Sequence, residues 1–166
     1  MSDSKKDRIK RARRRALFIA PITIVFWFVM IKFVFLGKGC SSTEGTLVSK
    51  GPPLGDWTFK PDRCKSGQRE QFFGAFVLGG KEGGGGQIKL IRDQVKQTWV
   101  IQVTKPGAEG ARPITIDRSK CKGYGVSLHR TSTTVNDIRL LDGRLTLYCT
   151  YPKGSISADI KLESCD

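Results

Sequence analysis

The sequence has few of the side chains that most often carry chemistry. Its 166 residues include one histidine, His129, and none of its five cysteines forms a Cys-x-x-Cys pair. Zinc sites usually draw their ligands in such close pairs, so we expect no metal and no cofactor. The sequence also lacks the Gly-x-Ser-x-Gly turn that presents a nucleophilic serine in many hydrolases. We therefore predict no catalytic residues and a protein that is not an enzyme.

A helical hydrophobic period is also absent after residue 40, where apolar side chains instead recur at every second position. Ile156, Ala158, Ile160 and Leu162 alternate with polar residues, as in a strand with one buried face. Glycine and proline pairs separate about eight or nine such runs at short intervals. The pattern over 56–166 predicts an all-β domain, either an antiparallel β-sandwich or a small barrel.

Basic residues exceed acidic ones by 29 to 15, which gives a net charge of +14. The excess is uneven, because residues 1–15 alone hold eight basic and two acidic side chains. The remainder is only moderately basic and has no dense basic stripe with interleaved aromatic residues. This distribution argues against nucleic acid as a partner.

Long apolar runs are confined to one place, residues 16–36. These 21 residues contain a single charge, that of Lys32. A helix of this length spans about 31 Å, close to the hydrocarbon thickness of a bilayer. Basic residues on the N-terminal side favour a cytoplasmic N-terminus. We expect 1–15 to be a basic cytoplasmic tail and 16–36 a single-pass transmembrane helix in the inner membrane. The C-terminal domain would then be periplasmic or otherwise extracytoplasmic.

Residues 37–55 are small, polar and interrupted by two prolines, and they predict a flexible linker. Within this segment, Cys40 is followed by two serines, as at the start of a mature bacterial lipoprotein. Three outcomes stay open: an uncleaved signal anchor, lipidation at Cys40, or cleavage at another position.

The four cysteines of the domain predict two disulfide bonds, because an exported domain matures in an oxidising compartment. Turns at Asp142-Gly143 and at 152–155 would set the register of the last strands. That register separates Cys149 from Cys165. The predicted pairs are Cys64–Cys149 and Cys121–Cys165.

Three sequence patterns resemble small cell-envelope proteins and lipoproteins of delta-type proteobacteria. They are W-T-F-x-P-D-x-C-x-S-G at 57–67, F-F-G at 72–74, and D-G-x-L-x-L-x-C…G…E-S-C at 142–165. The resemblance implies an exported all-β domain behind a signal or anchor. It implies no activity.

These features together favour a membrane-anchored, non-catalytic binding or structural module of the cell envelope. Its expected partners are the lipid bilayer and another envelope protein or a glycan. Trp57, Trp99 and Tyr124 are candidate ligand-stacking residues if they lie together on the surface. The alternative is a small envelope hydrolase or carbohydrate-active enzyme, which would need a pocket that holds His129 beside a carboxylate.

Overall fold

The computed structural model describes residues 41–80, 85–108 and 110–166. The predicted cytoplasmic tail, the predicted transmembrane helix and Cys40 lie outside the described residues. Within those three ranges, the structure contains no helix with the length and apolar character that a membrane span requires.

The described residues form ten strands and two short 3-10 turns, at Gly67–Glu70 and Arg118–Lys120. The strands are β1 (Ser42–Lys50), β2 (Trp57–Phe59), β3 (Pro61–Ser66), β4 (Gly74–Gly79), β5 (Gln87–Arg92), β6 (Trp99–Thr104), β7 (Ile114–Thr115), β8 (Cys121–Val135), β9 (Ile138–Tyr151) and β10 (Gly154–Cys165). The all-β prediction is confirmed.

The strands form two antiparallel five-stranded sheets. Sheet A has the order β2-β1-β10-β9-β8, and sheet B has the order β3-β4-β5-β6-β7. Side chains from both sheets meet in one buried apolar cluster, represented by Leu147 and Ile160 from sheet A and by Val77 and Ile101 from sheet B. The alternation predicted for β10 is confirmed, since its four apolar residues at 156–162 are all buried.

The domain begins earlier than the sequence indicates. Residues 42–50, assigned above to the flexible linker, form β1, which pairs with β10 along its whole length and with β2 on its other side. Only Leu47 is a large apolar residue on the buried side of β1, and the buried Ser49 beside it donates a hydrogen bond to the Gly55 carbonyl at 2.9 Å. So short an apolar pattern gives no clear strand period.

The predicted turn at Asp142-Gly143 is wrong, because both residues lie inside β9. The chain turns instead at Asn136 and Asp137, whose φ angles are 48° and 63°. Two consecutive positive φ angles are typical of the two-residue turn that matches the twist of a hairpin. Gly143 allows β8 and β9 to approach closely, because a Cβ at this position would lie 1.9 Å from the carbonyl oxygen of Ser127.

The displaced turn also corrects the predicted disulfide pairs. All four cysteines form disulfides, but the pairs are Cys64–Cys165 and Cys121–Cys149. β8 runs unbroken from residue 121, so Cys121 lies directly opposite Cys149 in the neighbouring strand. Cys165, at the end of β10, then meets Cys64 of β3 and joins sheet A to sheet B.

Candidate functional site: an arginine–aromatic cluster beside β8

Two of the three candidate stacking residues lie together, where β8 of sheet A meets β6 of sheet B. The Tyr124 hydroxyl donates a hydrogen bond to the Trp99 carbonyl at 3.1 Å and accepts one from the Ile101 amide at 3.2 Å. Phe73, which precedes β4, packs against Trp99 with 6.0 Å between ring centroids. All three rings are half-buried and pack against the edge of the core.

Each of these three rings carries one arginine. The guanidinium carbon lies 5.5 Å from the ring centroid for Arg92 over Trp99 and for Arg130 over Phe73. For Arg118 over Tyr124, the distance is 5.8 Å. Such contacts stabilise an exposed site by about 0.5–1 kcal/mol each. Arg92 donates one hydrogen bond, to the side-chain oxygen of Gln97 at 3.0 Å. The remaining guanidinium donors of the three arginines have no partner among the described residues. We call these six residues the arginine–aromatic cluster: Phe73, Arg92, Trp99, Arg118, Tyr124 and Arg130.

The three arginines have no carboxylate partner in the described part of the chain. The ion pairs found there are Lys89–Glu70, Arg144–Asp159 and Lys161–Glu163. The carboxylates nearest along the chain, Asp93 and Asp117, are engaged in turns. Asp93 accepts from the amides of residues 95 and 96, and Asp117 accepts from the amide of Ser119, each at 2.9 Å. The cluster therefore presents three guanidinium groups over apolar rings without a direct ion pair to any described carboxylate.

Hydrogen bonds in these turns hold both carboxylates ionised. The amide of Lys96 lowers the pKa of Asp93 below its ordinary value, and hydrogen bonds from Ser119 do the same for Asp117. Neither carboxylate therefore becomes neutral near pH 7, and the local charge balance does not change there.

β8 runs beside the cluster as the outermost strand of sheet A. It is 15 residues long, and β9 is its only strand partner among the described residues. Tyr124 and Arg130 lie on the side of β8 that also carries the half-buried Val126 and Leu128, whereas Lys122 is exposed. The cluster thus lies along a long, open sheet edge.

Trp57 does not join Trp99 and Tyr124. It lies in β2, at the opposite edge of sheet A, where its indole N–H donates to the Leu54 carbonyl at 2.9 Å. Trp57 also packs against the core. The three-residue stacking platform suggested by the sequence is therefore reduced to Trp99 and Tyr124.

No sequence pattern singles out Phe73, Arg92 or Arg118 as a residue of this site. One sequence pattern points to Arg130, because it continues the alternating row of Tyr124, Val126 and Leu128. No pattern links Arg92 to Trp99, since their contact follows from the β5–β6 register, in which the two residues are direct partners.

His129 is exposed on β8, opposite Asp142 of β9. The Asp142 carboxylate accepts a hydrogen bond from the Ser164 amide at 2.7 Å. Two surface cavities of about 250 Å³ lie around Lys65 and Arg69 and around Tyr148 and Ser157, and neither is lined by His129 or Asp142. The described residues contain no group of three or more histidine, cysteine, aspartate or glutamate side chains placed to hold a metal.

The outer face of sheet B has a second contact between a cation and aromatic rings. The Lys89 ammonium lies 4.6 Å and 4.9 Å from the ring centroids of Phe72 and Phe76. It differs from the arginine–aromatic cluster because Glu70 lies 3.5 Å from Lys89 and compensates its charge.

The chain matches no family model, no curated protein and no solved structure.

Proposed function

We propose that the chain is a membrane-anchored, exported β-domain that acts as a non-catalytic binding module of the cell envelope. Residues 16–36 anchor it in the inner membrane as a single-pass helix, with the N-terminus cytoplasmic and the β-domain on the extracytoplasmic side. Two disulfide bonds support the extracytoplasmic location, since such bonds persist in oxidising compartments.

The arginine–aromatic cluster carries the binding part of the proposal. Arg92, Arg118 and Arg130 lie over half-buried rings without carboxylate partners among the described residues. Guanidinium groups form paired hydrogen bonds to carboxylate or phosphate oxygens, and aromatic faces add apolar contact. A partner with anionic groups, such as another envelope protein or an acidic glycan, fits this surface.

Limited proteolysis of spheroplasts tests the location. We expect protease added outside spheroplasts that express the full chain to remove the β-domain and leave a membrane-bound N-terminal fragment. The β-domain should become accessible without lysis, while a cytoplasmic marker stays intact. Protection of the β-domain until lysis would contradict the proposed topology.

Binding of a simple polyanion tests the surface. The full chain, in nanodiscs of neutral lipid, should bind dextran sulfate more weakly when Arg92→Gln and Arg130→Gln are combined. The matched control combines Arg63→Gln and Lys65→Gln, which remove the same charge from exposed positions on β3. The basic tail contributes equally to all three proteins. Equal losses in the two double variants would show that net charge, and not the cluster, attracts anions.

A further inference from the structure

We propose that the β8 edge binds an extended acidic segment of another protein by strand addition, with its carboxylates held by the arginine–aromatic cluster. This inference rests on the proposed binding function and specifies the partner. In strand addition, a peptide backbone continues the hydrogen-bond ladder of a sheet, and its side chains select the sequence.

The first support is the open ladder of β8. The stretch Gly123–Arg130 pairs regularly with β9 and is bounded by a register shift at each end. No backbone hydrogen bond to another described strand covers the other side of this stretch. Alternate residues of an edge strand therefore present unpaired amide and carbonyl groups over about 25 Å.

The second support is the position of the cluster relative to that ladder. Side chains of an added strand alternate between its two faces, so every second one would lie on the face of Tyr124 and Arg130. Arg92 and Trp99 reach the same place from sheet B, because Phe73 contacts both Trp99 and Arg130. Acidic side chains at alternate positions would meet guanidinium groups there, and neighbouring apolar groups would meet the rings.

Charge argues against a second copy of this chain as the occupant. Antiparallel pairing of two β8 strands would place the arginine–aromatic clusters of both copies on the same face of the joined sheet, with three guanidinium groups in each. Like charges that face each other across a strand pair destabilise it. An acidic partner reverses the sign of this interaction.

The backbone ladder argues for a polypeptide over an anionic glycan or a lipid surface. Only another peptide backbone repeats donors and acceptors at the spacing of β8. A glycan or a phospholipid headgroup would use the arginines but leave the ladder unpaired.

The test uses the full chain in neutral-lipid nanodiscs and a peptide of about ten residues in which glutamate alternates with valine and threonine. Fluorescence anisotropy of the labelled peptide reports binding. Three related probes separate the contributions: the same peptide N-methylated at alternate amides, a version with lysine in place of glutamate, and dextran sulfate.

We expect the acidic peptide to bind, and the N-methylated and lysine peptides to bind at least about tenfold more weakly. Arg130→Gln and Arg92→Gln should each weaken binding of the acidic peptide about fivefold, whereas Arg63→Gln should leave it unchanged. Circular dichroism and non-reducing peptide mapping would show that each variant has folded with both disulfides.

Equal binding of the acidic and the N-methylated peptides would overturn strand addition. Binding of dextran sulfate at the cluster without binding of the acidic peptide would overturn the peptide partner and leave the proposed binding function intact. If neither probe depended on Arg92 and Arg130, the binding function proposed for the cluster would fail as well.

Discussion

The two edges of sheet A differ in length, in cover and in charge. At one edge, β2 has only three residues, and the indole of Trp57 bonds back to the adjoining turn. At the other edge, β8 has 15 residues, has no second described strand beside it and lies next to the three arginines of the cluster. Proteins prevent unwanted pairing at sheet edges by shortening, covering or charging them. Basic side chains at an edge repel a basic strand but attract an acidic one. An edge that stays long and exposes unpaired cations is therefore the better candidate for recognition.

Of the two disulfides, only Cys121–Cys149 lies at the β8 edge, and removing either disulfide should have the largest effect on stability. Cys64–Cys165 joins the two sheets and closes a loop of 101 residues, whereas Cys121–Cys149 joins β8 to β9 across 28 residues. Chain-entropy arguments give about 5 kcal/mol for the longer loop and about 3.5 kcal/mol for the shorter. Urea unfolding of the full chain in micelles should show the larger loss for Cys64→Ala with Cys165→Ala. A larger loss from the β8–β9 pair would contradict this ranking.

The next effect concerns the close contact between β8 and β9. In Gly143→Ala, the new Cβ would lie 1.9 Å from the carbonyl oxygen of Ser127, so the strands must separate. We expect a loss of about 2 kcal/mol in the free energy of unfolding. Gly125→Ala is the matched control on the same strand pair, because its Cβ would meet only the Thr146 Cβ at 4.0 Å. Similar unfolding midpoints for the two variants would show that the β8–β9 contact is looser than described.

Tyr124 links the β8 edge to sheet B, and its hydroxyl should contribute less than the strand contact. Tyr124→Phe leaves the Ile101 amide and the Trp99 carbonyl without their hydroxyl partner. We expect a loss of about 1–2 kcal/mol, measured by urea unfolding. Tyr148→Phe, at an exposed position on the outer face of sheet A, is the control and should change stability little.

The same tyrosine predicts a dependence on alkaline pH. Burial raises the pKa of Tyr124 above the ordinary tyrosine value of 10.0, and burial also raises the pKa of Tyr151. The unfolded chain then loses these protons first, so their contribution is present in full below pH 10 and is lost as the pH rises toward the folded-state values. The decline in stability above pH 10 should be less steep in Tyr124→Phe. An unchanged slope would show that Tyr124 is not desolvated.

The smallest effect is expected where an arginine already has a partner. On the outer face of sheet A, Arg144 donates to both carboxylate oxygens of Asp159 and lowers the pKa of Asp159. A group with a depressed pKa contributes stability above its unfolded value, and that contribution is lost as the pH falls. Because the pair is exposed, Asp159→Asn should barely change the melting temperature at pH 7. A clear drop at pH 7 that persists in high salt would contradict this interpretation.

The sequence predicts most strands of the domain but not their register. The alternation of apolar and polar residues identifies β10, β6 and the second half of β9, because one face of each strand packs in the core. The register depends on where the turns lie. The Asp142-Gly143 pair has the sequence of a hairpin turn, but Gly143 lies inside β9, where it allows β8 to approach closely. The Asn136-Asp137 turn carries the weaker sequence pattern, although its backbone has the two positive φ angles. Because the turn lies at 136–137 and not at 142–143, the predicted disulfide partners are exchanged.

The candidate site was harder to predict than the strands. Trp99 and Tyr124 can be selected from sequence as aromatic residues, but their contact depends on β8 meeting sheet B. Arg92 reaches its ring through a cross-strand contact, and Arg130 reaches Phe73 through an inter-sheet contact between residues 57 positions apart in the sequence. Trp57 is as good a candidate as Trp99 by residue type, but it lies in β2, at the opposite edge of sheet A from β8.

Hydrogen exchange of the full chain, with and without the acidic peptide, tests the difference between the two edges most directly. We expect amides in Gly123–Arg130 to exchange quickly at alternate positions in the free chain and to slow by about tenfold or more when the peptide is bound. Amides of β2 should be unaffected. Protection that appears equally at β2, or no change in β8 at saturating peptide, would contradict the assignment of β8 as the binding edge.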